Sequence, residues 1–77
     1  MIPIPSCTIA TSPVDGRLRG HLAVDTDVEA GDVVATVETG GRSVDIRAPR
    51  RGRVAGFLAD LTQPVAAGDG VVWLARA

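Results

Sequence analysis

Apolar residues in this chain come in short runs alternating with polar ones, and Gly, Pro or Asp interrupts them every few positions. The runs "RLRGHLAV" (17–24) and "RVAGFLAD" (53–60) alternate long and small or polar side chains as a strand does. "VVATVE" (33–38) and "VVWLA" (71–75) are Val-rich, and "RSVDIRA" (42–48) alternates again. Nowhere do apolar residues persist at the i, i+3, i+4, i+7 spacing of an amphipathic helix, so the pattern predicts strands only. Pro-x-x-Gly at 13–16 and 49–52 reads as a turn, with Pro fixing φ early and Gly accepting a positive φ at the end. "AGD" at 30–32 and 67–69 reads as a second turn whose Asp side chain caps nearby backbone amides.

These signals occur twice. "PVDGRLRGHLA" (13–23) matches "PRRGRVAGFLA" (49–59) at an offset of 36, and "VEAGDVV" (28–34) matches "VAAGDGV" (65–71) at an offset of 37. The one-residue change falls in the intervening loops, where insertions are cheap. Two copies are too few for a solenoid, which needs stacked neighbours. Closing on each other about a pseudo-twofold axis would bury the apolar faces of both. The expected fold is therefore a small closed all-β structure of about eight short strands in two sheets. Gly20 and Gly56 interrupt their strands at equivalent positions, which predicts bends or close backbone approach. Gly40-Gly41 lies at the centre of the duplicated pattern between two strand runs, a pair suited to a two-residue hairpin with both residues at positive φ.

With 77 residues the chain makes one small domain with little room for a deep pocket. Residues 1–7 read as an extended arm and 8–77 as the domain. A net charge of −1 gives no overall pull toward nucleic acid or anionic lipid, and with only Phe57 and Trp73 aromatic there is no stacking platform for single strands. Both rings are expected in the core, because so small a domain needs their area. No run approaches a membrane span. "MIPIPSCTIA" lacks the basic and apolar regions of a signal peptide, and the lone Cys7 fits a reducing compartment, so a cytoplasmic domain is the expectation. The "IPIP" stretch could dock as an extended segment or pack on its own domain. All eight basic residues are arginine, and no lysine is present.

The ordered set "SPVDGRL", "VEAGDVVATVET", "VDIRAP", "RRGRV" and "VAAGDGVVWL" resembles the biotinyl/lipoyl attachment domains over about residues 8 to 76. That resemblance implies a flattened β-barrel, the barrel-sandwich hybrid, of two short-stranded sheets. The flanks are closer to the lipoyl type. On that pattern Glu38 and Thr39 match, Gly40 takes the place of Asp, Gly41 that of the modified Lys, and Arg42 that of Ala. The family's usual function needs an amide between the lysine amine and the cofactor carboxylate. Glycine offers no such group, the Arg42 guanidinium is a poor acyl acceptor, and nothing activates Thr39 or Ser43. No cofactor is expected. Gly40-Gly41 reads either as a relaxed turn after loss of the attachment site or as a place where a partner backbone approaches closely.

Catalysis is not expected, since nothing places Cys7 beside His21, and a single Cys and His without ligand spacing make no zinc site. His21 is expected on a strand surface, with a partly buried ring as the alternative because its counterpart is Phe57. Charge is segregated along the chain, with Asp25, Asp27, Glu29, Asp32 and Glu38 between 25 and 38, and Arg42, Arg47, Arg50, Arg51 and Arg53 against Asp45 alone between 42 and 53. One reading is a solvated surface of weakly paired charges. The sharper one is a basic rim at the hairpin end, formed by Glu38, Gly40, Gly41, Arg42, Arg50 and Arg51, that docks a protein partner, itself an enzyme. The resulting expectation is a non-catalytic adaptor, scaffold or regulator. The alternative is a carrier loaded at an unusual point such as Ser43, Cys7 or the α-amine of Met1, and a third reading is self-assembly through sheet edges.

Overall fold

Eight strands follow one another along residues 7–76, the residues that the computed structural model describes (of Cys7, the backbone): β1 (Cys7–Thr11), β2 (Gly16–His21), β3 (Asp27–Val28), β4 (Val33–Thr39), β5 (Arg42–Arg47), β6 (Gly52–Phe57), β7 (Pro64–Val65) and β8 (Gly70–Ala75). They form two antiparallel four-stranded sheets, ordered β1-β8-β6-β3 and β5-β4-β2-β7. The expected all-β, two-sheet architecture is what the chain adopts. β1 begins at Cys7, which places that residue in the domain rather than in the preceding arm. The "IPIP" segment lies outside the described residues.

The duplication organises both sheets. The first copy supplies β2, β3 and β4, the second β6, β7 and β8, and each lends its two-residue strand to the other's sheet. β3 pairs with β6 through Asp27↔Arg53 and Val28↔Gly52, while β7 pairs with β2 through Gly16↔Val65 and Arg17↔Pro64. Loop hydrogen bonds repeat likewise. The Gly31 N–H donates to the Ala48 carbonyl and the Ala48 N–H to the Asp32 carbonyl, both at 2.8 Å, and Gly68, Ser12 and Asp69 do the same at 2.7 and 2.9 Å. In the two "AGD" turns Gly31 and Gly68 each take φ of 90°. Their Asp32 and Asp69 carboxylates each accept an amide bond three residues back, from Glu29 and Ala66, at 2.9 Å. This is the Asp role that the repeated motif predicts.

Between the sheets lies a core of Val, Leu, Ile and Ala whose members are also equivalent pairs: Leu18 with Val54, Val28 with Val65, Val34 with Val71, Val37 with Leu74, and Ala10 with Ile46. Leu18, Val37, Val54, Val71 and Val72 are wholly buried. Each such side chain is worth roughly 1.5–3 kcal/mol removed from water, so the paired core is what drives the two copies together. Phe57 packs against this core half-buried.

Two expectations are corrected. Gly16 and Gly52, which close the Pro-x-x-Gly turns, do not have positive φ. They are glycine because another backbone passes against them: a Cβ on Gly16 would collide with the Glu38 carbonyl oxygen, and one on Gly52 would come to 2.8 Å from that of Ala75. Trp73 is not in the core. It is 38% exposed, on the outer face of β8 between Ile9 and Gly56. The cause is a bulge on β8 where it pairs with β1: Ala10 faces Val72 and Thr11 faces Gly70, so Val71 is the extra residue, Val71 and Val72 both turn inward, and the next residue points out.

Candidate functional site

The hairpin joining β4 to β5 is the feature on which the functional question turns. The two strands pair from Val33↔Arg47 to Thr39↔Arg42, which leaves Gly40 and Gly41 as a two-residue loop. Their φ values, 55° and 79°, are those of the turn type whose twist matches antiparallel strands. A Cβ at either position would meet nothing within 4 Å, so backbone conformation and not crowding is what favours glycine here. The apex is exposed and carries no side chain. It offers no amine to a biotin or lipoyl group, and the residues present do not fit either cofactor.

The structure brings only part of the expected docking surface together. Glu38, Gly40, Gly41 and Arg42 cluster at the apex. Glu38 lies across from Ser43 and Arg17, and its carboxylate is 3.7 Å from the Arg19 guanidinium. Arg42 is exposed and has no ion pair among the described residues. Arg50 and Arg51, by contrast, follow the far end of β5, in the loop that the Asp32 and Ala48 backbone bonds tie to the first "AGD" turn. Six strand residues, roughly 20 Å, separate them from the apex. The length of β5 therefore stands between them and Arg42, which opens that strand at the hairpin.

Charge segregation along the chain is undone in space. Pairing of β3 with β6 sets Arg53 3.0 Å from Asp27, and Arg51 lies 3.7 Å from Glu29. Arg47 sits 3.5 Å from Asp45. All are exposed pairs, the bland reading of the charge pattern, and such pairs contribute little to stability. The hydrogen bond from the Arg53 Nε to Asp27, then the nearby Asp27 charge itself, raise the Arg53 guanidinium further above its already high range.

His21 and Phe57, equivalent in the two copies, touch each other. Their rings stack with centroids 3.8 Å apart and planes at 25°, which puts the contact on the pseudo-twofold axis. His21 is exposed, the strand-surface position expected of it and not the partly buried alternative, while Phe57, expected in the core, packs against it half-buried. Cys7 and His21 lie on different sheets. Ser12 is a buried polar side chain, and its hydroxyl donates to the Val14 carbonyl. No group of three or more His, Cys, Asp or Glu stands in metal-binding array among the described residues.

One feature escaped the sequence reading. Beside His21, on the sheet that carries the hairpin, an open cavity of about 210 Å³ is lined by Gly20, Leu22, Val34, Ala35 and Thr36. Its signal was present in the repeat, where position 36 reads Thr and its equivalent, 73, reads Trp.

No protein-family profile matches the chain, and a search of well-characterised proteins returns no relative. Similarity appears among solved structures. The whole chain superposes on 8% of a single-chain, multi-domain long-chain acyl-CoA carboxylase, with a TM-score of 0.85 and 19% identity. Urea carboxylase of Kluyveromyces lactis matches 96% of the chain over 7% of its own length, with a TM-score of 0.83 and 28% identity. An aspartoacylase family protein of Mesorhizobium loti matches 87% of the chain over 24% of its own, with a TM-score of 0.75 and 31% identity. The chain thus spans less than a tenth of either carboxylase and a quarter of the third protein. The two sheets, internal repeat and central hairpin of this chain, together with its superposition on parts of two carboxylases at these scores, give it a biotinyl-domain-like fold.

Proposed function

We propose that this domain is a non-catalytic protein-binding module that docks a partner enzyme through its hairpin end, with Gly40, Gly41 and Arg42 at the centre and Glu38 beside them. The observation that carries this reading is the apex itself. The hairpin keeps its two-residue geometry and its exposure while presenting only backbone, flanked by an arginine that no carboxylate engages among the described residues. A bare apex lets another backbone approach closely, and an uncommitted guanidinium suits an acidic partner surface. Similar folds form small parts of proteins named as carboxylases and of an aspartoacylase family protein, which supports a module working beside catalytic machinery. Arg50 and Arg51 take no part in this surface.

The test compares tagged wild-type chain with Arg42→Glu and Arg50→Glu in capture from an extract of the native host, together with the intact mass of the chain isolated there. The expected result is a specific enzyme retained by wild type and by Arg50→Glu, lost with Arg42→Glu, and a chain of unmodified mass. A stoichiometric adduct would show a carrier instead. Retention unchanged by Arg42→Glu would remove the hairpin end as the docking site.

A further inference from the structure

The internal repeat lets the molecule be compared with itself, and the comparison isolates a vacancy. Gly20 and Gly56 occupy equivalent bulges, where the register shifts between Leu18 and Gly20 and between Val54 and Gly56. Across from Gly56 stands Trp73, and across from Gly20 stands Thr36. At Gly56 the indole lies directly on the glycine. A Cβ there would strike the ring nitrogen Nε1 and come to 3.1 and 3.2 Å from Cε2 and Cδ1. At Gly20 a Cβ would meet nothing within 4 Å, and that space is the cavity of about 210 Å³.

We propose that the notch over Gly20 binds an aromatic ring, the indole of a tryptophan carried by a partner polypeptide, in the position that Trp73 fills in the other half. The second copy shows that this backbone arrangement accepts an indole against the glycine, with its Nε1 edge nearest. Size agrees: about 210 Å³ falls below the roughly 300–1,000 Å³ of pockets for larger small molecules and suits one ring system. The walls agree as well. Leu22 is apolar and half-buried, and His21 is held in place by its stack on Phe57 and by the 3.0 Å bond between its Nδ1 and the Leu22 carbonyl. Donor and acceptor chemistry is complementary too. Thr36 brings a hydroxyl to the lining, an acceptor for the N–H of an indole that enters the notch. Thr36 pairs with Asp45 across the strands, whereas the equivalent pair on the other sheet, Trp73 and Ile9, is apolar, so the two outer faces have diverged where the repeat aligns them. This inference stands apart from the hairpin reading, because it concerns a different surface.

The test is a titration of the ¹⁵N-labelled chain, followed by amide shifts, with three probes: N-acetyl-tryptophanamide, a short glycine peptide with a central tryptophan, and N-acetyl-leucinamide. Expected are saturable shifts confined to residues 20–22 and 33–36 for both tryptophan probes, with the peptide binding at least as tightly as the amide. The leucine probe should bind at least about tenfold more weakly. Thr36→Trp rebuilds the Trp73 arrangement in the first half and should abolish the response. If that variant does not fold, Gly20→Val fills the same space from the other wall. Equal binding of the leucine probe, absence of saturable shifts, or an undiminished response in a folded plugged variant would overturn the proposal. Binding of the free amide with exclusion of the peptide would overturn a polypeptide as the source of the ring.

Discussion

Gly16 and Gly20 sit in the same strand, four residues apart, and are glycine for opposite reasons. Gly16 is crossed by the Glu38 backbone, whereas Gly20 faces open space with an ordinary φ. Gly16→Ala should therefore destabilise the domain by about 1–3 kcal/mol, since backbone cannot retreat as a flexible side chain can. Gly20→Ala should be neutral or stabilising by about 0.4–1 kcal/mol, through loss of freedom in the unfolded chain. Denaturant unfolding of the two variants decides the matter, and equal effects would show that the close approach is not what selects Gly16. A second pair of residues tells a similar story. Asp25 and Thr62 occupy equivalent loops and hold φ of 73° and 69°, left-handed values that Asp tolerates better than a β-branched residue does. Thr62→Asn should raise stability by about 0.5–1 kcal/mol in the same measurement, by relieving that conformation where the repeat built it without a suitable side chain.

At the scale of the element, the hairpin shows how a turn can be chosen by twist alone. Nothing crowds Gly41, so Gly41→Ala loses only the conformational preference, an expected cost of about 1–2 kcal/mol with no change of fold. Thermal unfolding with an unchanged amide spectrum for the strands checks both halves of that statement. The same element marks where sequence patterning reaches its limit. Strand runs, the repeat, the Asp-capped turns and the Gly-Gly hairpin were all legible, because alternation and turn chemistry are local properties. The outward face of Trp73 was not. A bulge reverses the inside–outside phase partway along a strand, as at Val71 where β8 pairs with β1, and Val71-Val72 reads identically whether one of the pair or both turn inward. Nor did chain order reveal that Arg50 and Arg51 lie at the opposite end of β5 from Arg42. Neighbours in sequence separate along an extended strand at roughly 3.4 Å per residue, so a basic run is no patch when a strand divides it. The Gly20 notch was hidden for a further reason, since an opening is defined by the missing ring opposite and not by any residue present.

For the whole molecule, the exchange of β3 and β7 makes the two copies mutually dependent. Val28 completes the core under the sheet containing β6, and Val65 completes the other. Residues 7–40 and 41–76 should each be unstructured when isolated, by circular dichroism, and the intact domain should unfold in a single transition. Persistent strand signal from either half alone would refute that interdependence. The same symmetry has a consequence for how the strands can be connected. β1 and β8 lie side by side, with Cys7 opposite Ala75, as β5 and β4 do at the hairpin. The backbones of Cys7 and Ala75 are therefore held next to each other by the same kind of antiparallel ladder that carries the Gly-Gly turn. Those two positions can be bridged by a short loop and the chain reopened at Gly40-Gly41 without breaking either ladder, which makes the fold a candidate for circular permutation.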